Sequence, residues 1–194
     1  MTSQPSLHLE LPVVSGAPRA LDLARVSILE PAGLDVNRLD HVLGTVMGAA
    51  VDYADLYFQL SRDESWALED GIVKEGAHSI EQGVGVRALA GEKTGFAYSD
   101  EIALPALNEA SRAARAIAKS GTAGSVAARS SVVGHRLYPA IDPLAGIADQ
   151  EKVKLLELVD IEARRLDPRV TQVMASLAGV HEVIMVIASD GTLA

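Results

Sequence analysis

ESWALEDGIVKE (residues 64–75), followed by QGVGVRAL (82–89) and GEKTGFAY (91–98), is the stretch that decides the fold. Asp70-Gly71 lies between the runs Glu64–Glu69 and Ile72–Glu75. It is a two-residue hairpin signal, because Asp and Gly tolerate the positive φ that such a turn requires. Gly91-Glu92-Lys93-Thr94-Gly95 marks the next reversal, between Gln82–Leu89 and Phe96–Tyr98. Upstream, ADLYFQL (54–60) alternates as a half-buried strand does. Strands this close, with no helix between them, pair antiparallel, because a parallel crossover needs a dozen or more residues. The stretch predicts an antiparallel meander.

Helices are expected on either side. Leu39, Val42, Leu43, Val46 and Met47 recur at helical spacing behind Asp35, an N-cap residue type, and the helix should end near Ala49–Ala50. A second helix is expected over Leu104–Lys119, with Leu104, Leu107, Ala110, Ala114 and Ile117 on one face and Arg112 and Arg115 solvated. Helices on one face of an antiparallel sheet make an α+β unit. Gly121, Gly124, Gly134, Pro139 and Pro143 then interrupt residues 120–149, which read as a connection. A third helix over Asp149–Leu166 is ended by Pro168. Val170–Leu177 and Val183–Ala188 read as a hairpin around Gly179-Val180-His181.

Val183–Ala188 runs into Ser189-Asp190-Gly191, a further turn signal, after which only Thr192, Leu193 and Ala194 remain. A missing return strand would leave an open edge, with self-association or partial disorder near residues 183–194 as the consequence. The alternative is a short tail after the last strand. The expected fold is α+β: an antiparallel β meander with covering helices, then a helix plus an incomplete β hairpin of a second subdomain. The expected units are a flexible extension over 1–34, an α+β domain over 35–119, a linker over 120–149 and the start of a truncated second domain over 150–194.

Seventeen Lys+Arg against 26 Asp+Glu leave a net charge of −9. That disfavours a general phosphate-backbone binder, so no nucleic-acid partner is expected. No cysteine is present, which removes disulfides, thiolate metal sites and cysteine nucleophiles. The N-terminus has neither a basic nor an apolar leader pattern, and no apolar run is long enough to span a bilayer. A cytoplasmic location and no membrane partner are the expectation.

His181-Glu182 has the first two letters of a zinc-peptidase motif, but no second histidine follows and the segment is β-rich, so a turn or strand-edge histidine is expected. Asp63, Glu64, Glu69 and Asp70 could do acid–base work, but a solvated strand face and turn explains them more simply. Trp66 reads as a core or sheet-face anchor. Gln82-Gly83-Val84-Gly85-Val86-Arg87 lacks the third glycine and the helix of a dinucleotide fingerprint. Its glycines either permit a bulge or let another backbone approach. Gly83, Gly85 and Arg87 are therefore the candidate peptide- or partner-contact residues. No catalytic set and no metal-ligand set is legible.

Several segments resemble the TldD/PmbA family of zinc metallopeptidases, also called modulators of DNA gyrase. The matching text is DYADLYFQ (52–59), ESWALEDGIVK (64–74), QGVGVRA (82–88), GEKTGFAY (91–98), Asp142-Pro143-Leu144 and SDGTLA (189–194). Glu64-Ser65-Trp66 and the 91–98 turn resemble the TldD branch more than its TldE (PmbA) partner branch. The resemblance implies an N-terminal α+β domain, a second domain and a C-terminal catalytic domain. It also implies a peptidase of unfolded or extended peptides that works as a heterodimer with a TldE/PmbA-like subunit. The family's zinc is held by a His-Glu-x-x-x-His helix and a distant cysteine, and neither is present here. Zinc is thus implied for the longer protein, with no cofactor in this chain. Two readings follow: an N-terminal substrate-cleft and assembly region of such a peptidase, or a non-catalytic binding or assembly module of the same fold. Direct action on DNA or gyrase fits poorly with the charge.

Overall fold

The computed structural model describes residues 20–48, 51–118, 130–131 and 140–194. Helix α1 (Ala20–Ala24) runs into a π-helical turn, Arg25–Leu29, and is followed by α2 (Val36–Met47). Strands β1 (Tyr53–Glu69), β2 (Ile72–Ala90) and β3 (Lys93–Ser99) come next, then α3 (Leu104–Ile117). The chain continues through β4 (Ser130–Ser131), α4 (Asp149–Leu166), β5 (Met174–Ala188) and β6 (Thr192–Leu193). One sheet holds all six strands in the order β3-β2-β1-β5-β6-β4, antiparallel except for the β4–β6 pair. The molecule is α+β, as the alternation predicts.

The hairpin at Asp70-Gly71 forms with φ of 47° and 73°, the left-handed geometry that this dipeptide accommodates. Asp35 caps α2 by accepting from the Arg38 amide at 2.9 Å. Such a cap is worth about 1 kcal/mol. The expected end of this helix at Ala49–Ala50 lies outside the described residues, and α2 stops at Met47. The core sits between one face of the sheet and α2 and α3. Leu39, Leu43 and Val46 of α2, Leu107 and Ala114 of α3, Leu56 and Phe58 of β1, Val86 of β2, and Met185 and Ile187 of β5 are all fully buried. Each large apolar side chain so placed contributes roughly 1.5–3 kcal/mol against exposure.

Four sequence expectations need correction. Residues 20–34 are not a loose extension. Ala24, Ile28, Leu29 and Leu34 are buried in the same core. The runs 54–60 and 64–69 are one strand, as are 72–75 and 82–89. The polar residues between them do not break β1, because β2 and β5 both pair with it and satisfy its backbone on both sides. The hairpin around Gly179 does not exist, because β5 passes straight through it. A Cβ at Gly179 would lie 2.6 Å from Leu144 Cδ2, so this glycine makes room for a neighbour instead of a turn. Finally, the residues after 140 open no sheet of their own. β5 adds to β1 over fifteen residues, from Asp55↔Ala188 to Glu69↔Met174.

The turn at Asp190-Gly191 is present, with Gly191 at φ 92°, and β6 is its short return. Val186 and Ala194 exchange both backbone hydrogen bonds, at 2.8 and 3.0 Å. The segment expected to be partly disordered is therefore built into the sheet. Of the expected linker, residues 120–129 and 132–139 lie outside the described residues. No helix among the described residues is long and apolar enough to cross a membrane.

Candidate functional site

Side chains alternate across β1, so Ala54, Leu56 and Phe58 face the helices while Tyr57, Gln59 and Ser61 face the opposite side of the sheet. No helix among the described residues covers that opposite side. On it, Tyr57 pairs with Gly85 and Gln59 with Gly83, while Gly85 pairs with Tyr98 on its other flank. With no side chains on the two glycines, a groove of about 390 Å³ opens in the sheet face. Tyr57 and Gln59 wall it on one side, Phe96 and Tyr98 on the other, and Glu81, Ser99 and Asp100 close one end. Phe96 is 55% and Tyr98 79% exposed, high values for aromatic side chains. An ideal Cβ at Gly85 would lie 3.0 Å from the Phe96 ring, and one at Gly83 would lie 3.0 Å from the Ser99 carbonyl. The groove depends on glycine at both positions.

Beyond Gly83 the outer edge of β2 is open. β3 pairs with β2 only from Val84 to Ala90, and no described strand pairs with that edge over Ile72–Gly83. The backbone groups on that edge point to solvent in line with β3.

The structure brings Gly83 and Gly85 together as the groove floor. Arg87 lies on the same face but is committed elsewhere. Its Nε and one terminal nitrogen donate to Asp55 Oδ2 at 2.8 and 2.6 Å, and the guanidinium lies 5.9 Å from the Tyr53 ring centre. The bonds to Asp55 hold the Arg87 pKa above its ordinary value. Burial, with help from the Asp55 charge, raises that of Tyr53.

Within the acidic cluster around β1, Asp70 is exposed as expected of a turn, but Glu64 is not part of a solvated face. Glu64 is buried, and both of its oxygens accept from Lys152 Nζ of α4, at 2.7 and 2.8 Å. Lys152 is also buried and donates to the Leu144 carbonyl at 3.2 Å. Its pKa is raised, chiefly by the bond to Glu64. Asp70 accepts from the Val173 amide at 3.0 Å and pairs with Arg164, which together lower its pKa. Gln172 donates to Glu69 at 2.9 Å. These carboxylates are the anchor points for the chain between Asp142 and Val173. His181 is not a turn residue. It lies mid-strand on β5, 14% exposed, with Nδ1 3.6 Å from Asp142, which also binds Arg62. Trp66 covers Gly76 and meets His78 edge-on at 5.5 Å, the sheet-face role expected of it. Arg115 is not idle: it donates to the Thr45 carbonyl at 3.1 Å, tying α3 to the last turn of α2.

Glu64, His78 and Asp149 place one ligand atom each within 4.8 Å of one another. They do not fit a zinc ion. The Lys152 ammonium already occupies the centre of this group, 3.5 Å from Asp149 and bonded to both Glu64 oxygens. A metal there would expel a buried cation and leave it unpaired. Sequence reasoning missed Lys152 and Asp142. The usable signal was Lys152, Leu156 and Asp160 at i, i+4 and i+8, with Leu155, Leu158 and Ile161 left outside that line.

The family described as PmbA/TldA metallopeptidase domain 1 matches residues 54–118, and its central domain matches residues 142–194. A metalloprotease TldD homolog of Haemophilus influenzae is 48% identical over 170 residues, 87% of this chain and 35% of that protein. A TldD homolog of Buchnera aphidicola (from Acyrthosiphon pisum) is 43% identical over 74% of this chain and 30% of its own. The chain therefore spans about a third of the length of the curated relatives it matches. Among solved structures, a protein described as a modulator of DNA gyrase from Bacteroides thetaiotaomicron superposes with a TM-score of 0.56 at 16% identity, covering 81% of this chain and 37% of that one. TldE of Thermococcus kodakarensis gives 0.55 at 16% identity, covering 81% and 36%. At that identity these two show the shared fold. With both family segments matched in order and TldD homologs of this identity, the chain belongs to the PmbA/TldD metallopeptidase family.

Proposed function

We propose that this chain is the N-terminal substrate-cleft and assembly region of a TldD-like zinc metallopeptidase that cleaves unfolded or extended peptides. In this reading the segments 54–118 and 142–194, which share one sheet, are its first two parts. A TldE/PmbA-like subunit completes the enzyme in the cytoplasm, and the zinc ligands lie in parts of the longer protein. The observation that supports it is the glycine-floored groove leading to the open edge of β2. A free strand edge binds an extended backbone through main-chain hydrogen bonds, which suits a peptidase with little sequence preference. Aromatic walls add contact area without demanding one side chain. Gly83 and Gly85 give the peptide its close approach, and Arg87, held by Asp55, keeps the neighbouring strand position rigid.

The test is fluorescence anisotropy of a labelled, unstructured peptide titrated with the 194-residue chain. Saturable binding is expected. Gly85→Val should weaken it about tenfold, equivalent to about 1.4 kcal/mol, with the far-UV spectrum unchanged. Equal affinity for Gly85→Val and the parent would refute the groove as the seat. A coding sequence that continues past Ala194 into a His-Glu-x-x-x-His segment supports the peptidase reading. A stop codon there supports the alternative binding module.

A further inference from the structure

We propose that the groove, together with the open edge of β2 beside it, takes an extended peptide segment that carries lysine or arginine, with one basic side chain seated opposite Glu81. This rests on the groove being a peptide seat and adds the charge of its occupant. The walls favour a cation. Tyr57, Phe96 and Tyr98 are 37%, 55% and 79% exposed, and a lysine or arginine stem lies well along such rings with its charge held near a ring face.

The charges around the groove favour the same occupant. Residues paired across neighbouring strands share a face. On the groove side Ser61 of β1 lies between Glu81 of β2 and Glu182 of β5 in one row. Asp63 stands two residues further along β1 and accepts from the Ser61 hydroxyl at 3.0 Å. Asp100 adds a carboxylate at the end of the groove. Glu182 accepts from Gln59, and none of these four acids has an ion pair with a described residue. From Asp55 to Ala67 of β1, with the partners on β2 and β5, the single base on this side is Arg87, which Asp55 already holds. The opposite face differs: its buried acid, Glu64, is matched by Lys152. An unmatched acidic row beside an aromatic-walled groove complements a basic segment and repels an acidic one.

The backbone fixes the place. The Ala54 carbonyl accepts from the Ser189 amide at 2.8 Å, while Val186, opposite Tyr57, exchanges its bonds with Ala194. Even-numbered residues of β1 therefore bond β5, and odd-numbered ones bond β2. By the same alternation Gly76, His78, Ile80 and Gln82 turn their amides and carbonyls outward along the open edge of β2. An antiparallel peptide pairs with those groups. Its residue opposite Glu81 then occupies a position without direct hydrogen bonds, where facing Cα atoms are closest, about 4.5 Å apart. That residue points to the groove side, so a basic side chain there meets Glu81 and reaches toward Asp100.

The experiment is fluorescence anisotropy of the 194-residue chain with three labelled peptides of one length and one threonine-rich host sequence. They carry lysine, glutamine or glutamate at alternate positions. The lysine peptide should bind about tenfold more tightly than the glutamine peptide, and the glutamate peptide more weakly than either. Glu81→Gln should narrow the lysine-over-glutamine preference at least about threefold. Glu157→Gln, exposed on α4, changes the net charge equally and should keep the preference, which separates local pairing from the general attraction of a chain of net charge −9. A lysine peptide no tighter than the glutamine peptide, with Gly85→Val weakening both, would overturn the charge preference while the groove stands. Equal narrowing in Glu81→Gln and Glu157→Gln would overturn it too. Binding of no peptide, or binding indifferent to Gly85→Val, would overturn the groove as a peptide seat and this inference with it.

Discussion

Gly95→Ala adds one methyl group where the structure has no room for it. Gly95 lies on β3 on the side that faces α3. An ideal Cβ there would stand 1.9 Å from the Ala114 carbonyl oxygen, 2.9 Å from its carbon and 3.2 Å from the Ala118 nitrogen. A carbon–oxygen contact is comfortable at about 3.3 Å, so strand and helix must part by more than 1 Å. The obstacle is backbone and cannot rotate away. The same carbonyl accepts from the Ala118 amide at 3.1 Å, and that bond ends α3. Parting the two elements also loosens Leu107, Ala110 and Ala114 in the core. Overpacking costs about 1–3 kcal/mol where side chains can adjust, and this case belongs at the upper end or beyond. For a chain of this length about 3 kcal/mol corresponds to a drop of about 6–12 °C in Tm. The matched control is Gly85→Ala, on the uncovered face, where the added carbon meets only the half-exposed Phe96 ring at 3.0 Å. That change should move Tm by no more than about 2 °C. Thermal unfolding followed by circular dichroism reads both. A Gly95→Ala variant as stable as Gly85→Ala would refute the close seating of α3 on β3.

Two further outcomes follow from the ion pairs that hold the 142–173 segment. Lys152→Met leaves Glu64 buried without its cation, and Glu64→Leu leaves the lysine likewise, so each should lower Tm, while the double variant should recover most of the loss. If the double variant loses as much as the two singles combined, the pair is not a closed unit. Burial alone would raise the Asp142 pKa, but the Arg62 bond and the Leu144 and Ala145 amides together hold it below the ordinary value. A lowered folded value means the contribution is complete above the unfolded carboxylate pKa of about 3.9 and is lost as pH falls through the folded one. Urea midpoints should therefore fall less between pH 7 and pH 3 in Asp142→Asn than in the parent, and identical slopes would show that Asp142 gains nothing on folding.

The sequence was most readable where one residue type dictates a local geometry. Asp70-Gly71 took the left-handed turn, Asp35 the N-cap, and the 3.6-residue spacing of α2 the core-facing stripe. It was least readable where the deciding partner lies far along the chain. Glu64 looked solvated because Lys152, 88 positions away, is what buries it. Gly179 looked like a turn because Leu144, which fills the space beside it, is not a neighbour in sequence. Residues 20–34 were grouped with the Pro- and Gly-broken stretch before them, although Ile28 and Leu29 close the core. The groove was half legible. The glycines could be named, but the aromatic walls required the registers Tyr57↔Gly85 and Gly85↔Tyr98.

Strand β1 explains why these features sit together. It is the only described strand flanked along nearly its whole length, by β2 on one side and β5 on the other, so it joins the segment 54–118 to the segment 142–194. Its odd-numbered side builds the groove with Tyr57 and Gln59. Its even-numbered side builds the core with Leu56 and Phe58 and then changes to Arg62 and Glu64, which fix Asp142 and α4. The change from apolar to charged on a single strand face has a physical consequence. An all-apolar seat would have drawn the Leu155–Leu158–Ile161 side of α4 inward, since burial of that stripe is the stronger non-directional force. The buried carboxylate of Glu64 instead selects Lys152, because a buried carboxylate without a cation is far costlier than an exposed leucine, and the exposed Asp70 adds its pair with Arg164. The orientation of α4 is thus set chiefly by the buried carboxylate of Glu64 on β1, with the turn carboxylate of Asp70 holding Arg164 near its C-terminal end.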